Sequence, residues 1–159
     1  MKKLIFSFVF IFSVQFSHAQ DMNNEIMGSV FELVADTLIG QNGQWQMYFG
    51  EIPMMVITDE FHNRMRIISP IKKTEDTSPE EIMQCMEANF HSALDVKYAI
   101  ADGFIWSAFI HPLKELTRDQ LFDAMLQVRA ASLTYGDTFT STDLVFPKSE
   151  EKKRKLYQN

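Results

Sequence analysis

The chain has 159 residues, 46 % hydrophobic and 23 % charged, with 15 Lys and Arg against 21 Asp and Glu for a net charge of −6. That apolar share excludes a disordered chain, and the acidic balance excludes a general nucleic-acid binder, because phosphates need a basic face. Cys85 is the only cysteine, so an intrachain disulfide is excluded and stability rests on packing.

In chain order, Met1-Lys2-Lys3 is a positive start, Leu4 to Phe16 is an apolar run, and Ser17-His18-Ala19 puts small residues where a signal peptidase reads them. Residues 1–19 are read as a secretory signal peptide cut after Ala19. The run is short for a membrane span, and no other stretch approaches the roughly 20 apolar residues that spanning needs. No Cys sits at the cleavage point, which argues against a lipid anchor. The expectation is a periplasmic or extracellular protein with no stable membrane anchor after cleavage; loss of Lys2 and Lys3 takes its net charge from −6 to −8. Residues 20–146 suit a single domain, and 147–159 form a charged flexible tail.

From Asn23 to Ile39, the residues Ile26, Met27, Val30, Phe31, Val34 and Leu38 recur at three- and four-residue steps, which predicts a first helix stopped by Gly40. Residues 41–71 change to strand chemistry. Trp45 to Phe49, Met54 to Thr58 and Arg64 to Ile68 predict three antiparallel strands in a meander, with Asp59 to Asn63 as a hairpin loop. Arg64 and Arg66 share one face of the last strand and Met65 and Ile67 the other. Ser78-Pro79-Glu80-Glu81 has the N-cap, N1 proline and returning glutamate of a helix start. The second helix then carries Ile82, Cys85, Met86 and Phe90 on one stripe.

Val96 to Ala101 and Phe104 to His111, joined by Asp102-Gly103, predict a β-hairpin, since a type I′ turn needs positive φ at both central residues. Both faces of its second strand are largely apolar, which predicts a strand inside a sheet with material packed on each side. Thr117-Arg118-Asp119-Gln120 is a second capping box and opens a third helix that stops at Gly136. The fold class is α+β: helix, three-strand antiparallel meander, helix, two-strand hairpin, helix. Beyond Gly136, Phe139, Leu144, Val145 and Phe146 are apolar interruptions expected to dock on the body.

With that order, the run from Met83 to Gly136 resembles the YbjN-type domains of bacterial sensory transduction regulators, which share the type III secretion chaperone-like fold. The likeness is carried by Glu87-Ala88-Asn89-Phe90, by the hairpin Tyr98 to Trp106, by Pro112-Leu113 and by the helix from Leu116-Thr117 to Tyr135-Gly136. It implies an α+β sandwich, dimeric in many chaperone relatives, whose apolar helix and sheet surfaces hold extended segments of another protein. Export sets this chain apart from cytosolic secretion chaperones, so the fold is shared while the client differs.

The sequence holds no signature of a closed metal site, because His62, His91 and His111 lack ligand spacing and there is no second cysteine; no metal and no cofactor are expected. Cys85 on a core-facing stripe reads as a small hydrophobe. Glycine-rich phosphate loops and Gly-x-Ser-x-Gly are absent. The basic run Lys152 to Lys155 follows Glu150-Glu151 and reads as solvated tail. The candidate partner-binding surface is the supply of methionine and aromatic residues at Trp45, Met47, Tyr48, Phe49, Met54, Met55, Phe104 and Trp106, whose bland alternative is core filling. The expected function is an exported, non-enzymatic protein- or peptide-binding or regulatory module, with a homodimer as a possible state. The alternatives are a small hydrolase or ligand-binding enzyme whose site joins His62, His91 or His111 with an acid, and a scaffold stable only within an assembly.

Overall fold

Helix α1 (Asn24–Val34) starts where the Asn23 side chain accepts the Ile26 N–H at 2.9 Å, satisfying one of the free amides of a helix start. The computed structural model describes residues 21–41 and 43–142, so the expected signal peptide 1–19 and charged tail 147–159 lie outside the described residues. Strands β1 (Thr37–Gln41), β2 (Gln44–Phe49), β3 (Ile52–Asp59) and β4 (Arg64–Lys73) follow. A 3₁₀ turn at Thr74–Asp76 leads to helix α2 (Pro79–His91), strands β5 (Lys97–Ala101) and β6 (Phe104–His111), and helix α3 (Arg118–Leu133).

Boundaries differ from the sequence reading. The periodicity that predicts a helix to Ile39 ends at Val34, because Ala35 takes extended backbone (φ −81°, ψ 139°) and Thr37 to Gln41 pair with β2. The sheet therefore has six strands rather than five. Strand β4 also runs past Ile68 to Lys73, through an irregularity between Pro70 and Lys72 that moves Lys72 to the helix side. The stripe read on α2 is only partly core-facing, since Cys85 is buried while Met86 is 60 % and Phe90 80 % exposed, and α3 ends at Leu133 rather than at Gly136. Asp102 and Gly103 have φ of 49° and 78° at the β5–β6 turn, and both capping boxes close, at Ser78 with Glu81 and at Thr117 with Gln120.

All six strands form one antiparallel sheet in the order β1-β2-β3-β4-β6-β5. All three helices lie against the same face. Phe31 of α1 meets Trp45 of β2 edge to face at 5.3 Å. Ser107 of β6 donates to Val128 O of α3 at 3.3 Å, and the Tyr98 hydroxyl of β5 donates to Ala131 O at 2.9 Å. Between these layers sits the core, with Phe31, Met27, Met54, Met65, Ile67, Ile105, Leu121 and Met125 fully buried. This is a two-layer α+β body, the architecture of the type III secretion chaperone-like fold. The expectation that β6 has material packed on both faces is corrected: the faces alternate as read, but among the described residues only the Ile105, Ser107 and Phe109 side is covered.

Candidate functional site

Among the described residues one face of the sheet is uncovered, and on it apolar side chains alternate with Gln44, Gln46, Arg64 and Arg66. Cross-strand register places Ile39, Gln46, Met55, Ile68 and Ala108 in one row, and Gln44, Ile57, Arg66 and Ile110 in the next. Thr37, Tyr48 and Pro53 lie in a third row at one end of the sheet, and Pro70 pairs with Trp106 on the same face. Ile39 is 72 % exposed, Ile110 66 % and Tyr48 50 %, while Met55, Ile57, Ile68, Phe104 and Trp106 are half-buried by one another. Clustered exposed apolar side chains mark interaction sites on soluble proteins. Arg66 stands beside Ile57 and Ile110 in the same row, and Arg64 faces Asp59 across β3.

Strand alternation divides the eight residues singled out in the sequence. Trp45, Met47 and Met54 point to the helices and are buried in the core, so they leave the candidate surface; they are packing residues under α1 and α3. Phe49 also faces the helices, where its ring meets Phe122 at 5.9 Å. Tyr48, Met55, Phe104 and Trp106 lie on the open face. Phe104 and Trp106 contact each other with centroids 6.1 Å apart, and Trp106 Nε1 donates to Ala101 O at 2.9 Å, which pins the indole over the hairpin. Ile39, Ile57, Ile68 and Ile110 belong to the same surface and were missed by a search for methionine and aromatics alone. Their signal was the two-residue period of β3, β4 and β6.

The β5 edge of the sheet is blunted. In a two-residue hairpin the pair flanking the turn exchanges both ladder bonds, so Lys97, Ala99 and Ala101 turn their backbone groups to β6 while Tyr98 and Ile100 turn theirs outward. Asn89 of α2 takes both outward groups of Tyr98: its Oδ1 accepts the Tyr98 N–H at 2.7 Å and its Nδ2 donates to Tyr98 O at 3.1 Å. An amide side chain thus stands where a neighbouring strand would pair. This gives a structural reason for the asparagine in Glu87-Ala88-Asn89-Phe90.

The titratable groups are dispersed. In the exposed β3–β4 loop the His62 backbone N–H donates to Asp59 Oδ1 at 2.9 Å and His62 Nδ1 lies 2.6 Å from Asp59 Oδ2, and the backbone bond first, then the imidazole, hold the Asp59 carboxyl below the usual range. His91 meets Phe90 edge to face, ring centroids 4.9 Å apart, at the end of α2. His111 Nδ1 lies 2.7 Å from Pro112 O and borders a cleft of about 510 Å³ with Asp95, Lys97, Gln120 and Asp123. Among the described residues, no serine, threonine or cysteine lines that cleft. Burial pushes the Cys85 thiol up to about 11, with the Glu81 carboxylate adding to the shift, as expected of a structural rather than a nucleophilic cysteine. Among the described residues, no group of three or more His, Cys, Asp or Glu is arranged to hold a metal ion, and no helix is long and apolar enough to cross a membrane.

The fold and this surface define a two-layer sandwich with one uncovered sheet face. Among solved structures, the chain is similar to a chain of the HopA1–SchA chaperone–effector complex, with TM-score 0.55, 11 % identity, and coverage of 70 % of this chain and 90 % of that chain. The likeness is one of fold. No family model matches the sequence, and no curated protein matches it.

Proposed function

We propose that this protein is an exported, non-enzymatic module of YbjN type that holds a segment of another polypeptide on the open face of its sheet. The observation that carries this reading is the set of apolar side chains on the open face, Ile39, Met55, Ile57, Ile68, Trp106 and Ile110, exposed or half-buried and uncovered among the described residues. The chaperone–effector neighbour supports a protein as the ligand class. A periplasmic or extracellular location rests on the Lys2-Lys3 start and apolar run of residues 1–19.

The test uses Ile39→Asp with Ile110→Asp. Both side chains are mostly exposed, so the fold should keep its far-UV CD spectrum and urea midpoint. Binding to the partner, or self-association measured by sedimentation, should fall at least about tenfold, the effect of about 1.4 kcal/mol. Unchanged binding by the folded double variant rejects the open face as the site.

A further inference from the structure

On the helix side of the sheet, at its β1 edge, a cleft of about 970 Å³ lies between α1 and the β1–β2 hairpin. Glu25, Gly28, Ser29 and Glu32 form its helical wall, four positions that share one face of α1 because they recur at three- and four-residue steps. Leu38 and Gly40 of β1, Trp45 of β2 and Glu60 of the β3–β4 loop also line it.

Two features mark this cleft as a binding site rather than a gap in packing. Trp45 is only 4 % exposed and meets Phe31 edge to face, yet its Nε1, which can only donate, has no acceptor among the described residues. A buried indole N–H normally finds a partner, as Trp106 Nε1 does in Ala101 O. The second feature is Gly28. It sits inside α1 without a positive φ, and a Cβ there would lie 3.7 Å from Trp45 Cζ2 and 3.9 Å from Nε1, which is ordinary contact. Glycine inside a helix weakens it, and neither backbone nor space requires one here. The missing methyl group leaves the indole N–H open to the cleft.

The lining selects the ligand. Glu25, Glu32 and Glu60 are its charged side chains, and among the described residues no Lys, Arg or His joins them. The amides at the start of α1 are already taken, Asn24 N–H by Glu60 Oε1 at 3.0 Å and Ile26 N–H by Asn23 Oδ1 at 2.9 Å. An anion would therefore meet three carboxylates with no cation to offset them. A fully protonated polyamine would suit the carboxylates but offers the indole N–H no acceptor. A protonated amine that also carries hydroxyl groups satisfies both, its ammonium donating to carboxylate and a hydroxyl oxygen accepting from Nε1.

We infer that this cleft binds a polyhydroxylated amine of amino-sugar type, with Glu25 and Glu32 holding the ammonium and Trp45 Nε1 donating to a hydroxyl oxygen. The site lies on the opposite side of the sheet from the open face and does not depend on that face holding a polypeptide. The probes are the glucosamine disaccharide of chitosan, with its amines protonated, and its N-acetylated counterpart, which keeps the rings and loses the charge. Calorimetric titration of the full chain should show saturable binding of the first, at least about tenfold tighter than of the second. Trp45 fluorescence in a Trp106→Phe background should follow the same curve. Gly28→Ala should keep or raise the urea midpoint and weaken binding at least about tenfold, because its methyl group covers the indole edge. Glu25→Gln with Glu32→Gln, both exposed, should remove most of the preference for the charged disaccharide with the fold retained. The proposal is overturned by the absence of saturable binding of the charged disaccharide, by equal affinity for the two disaccharides, or by parent affinity in the folded Gly28→Ala variant.

Discussion

Replacing Asn89 by Ala removes both hydrogen bonds at the β5 edge, the 2.7 Å bond from the Tyr98 N–H and the 3.1 Å bond to Tyr98 O. A typical bond contributes about 0.5–1.5 kcal/mol net, and an orphaned buried group costs about 1–3 kcal/mol. Asn89 is only partly buried and water reaches the vacated edge, so the lower figures apply and the loss should be about 1–2 kcal/mol. For a body of this size that is a fall in Tm of about 3–8 °C, with a lower urea midpoint at unchanged slope. Asn89→Asp keeps the acceptor for the Tyr98 N–H but sets a carboxylate against Tyr98 O, so it should not rescue. The exposed edge should also raise light scattering at high protein concentration. An Asn89→Ala protein with the parent midpoint and no added scattering would refute the edge-blocking role.

Two glycines with positive φ, Gly40 inside β1 and Gly103 in the β5–β6 turn, should differ sharply. A Cβ on Gly40 would lie 2.2 Å from Gln44 O, whereas one on Gly103 meets nothing within 4 Å; Gly103→Ala should cost about 1 kcal/mol of backbone strain and Gly40→Ala several times more, read from urea midpoints. Glu81 accepts from Lys72 Nζ at 2.8 Å and from the Ser78 N–H at 2.8 Å, and the Lys72 bond first, then the cap, hold its carboxyl below the usual range. Its charged form is favoured by folding, so the stability it contributes is present above the ordinary carboxylate range and is lost as pH falls through the lowered folded-state value. Glu81→Gln should therefore flatten the acid side of a stability-against-pH curve, and an unchanged acid limb would contradict this. Tyr98→Phe leaves Ala131 O without its 2.9 Å donor and should lower stability by about 1 kcal/mol with the fold retained, as seen by near-UV CD.

Much of this fold was legible in the sequence because its signals are local. Asp102-Gly103 dictates its turn through positive φ, Ser78 and Thr117 dictate helix starts through their own side chains, and Arg64-Met65-Arg66-Ile67 shows which side of β4 is wet. Strand β1 was hidden because Leu38 continues the three- and four-residue spacing of α1, and only pairing with β2 decides otherwise. The Asn42-Gly43 dipeptide between the two strands was the missed sequence signal of that hairpin. The candidate surface was legible only in part. Composition marks Trp45, Met47, Tyr48 and Met54 alike, but register sends Trp45, Met47 and Met54 to the core and Tyr48 outward. The bracing of Tyr98 by Asn89 joins residues nine apart on different elements, and no spacing rule within one element announces it.

The claim on which the account turns is that the uncovered sheet face holds another polypeptide. Site-specific photo-cross-linking tests it most directly, with the cross-linker at Ile110 on that face and, as comparison, at Leu33, which is 82 % exposed on α1. The account predicts a discrete adduct with another chain from position 110 that disappears in the Ile39→Asp background, and none from position 33. Adducts from position 33 with none from position 110 would contradict it.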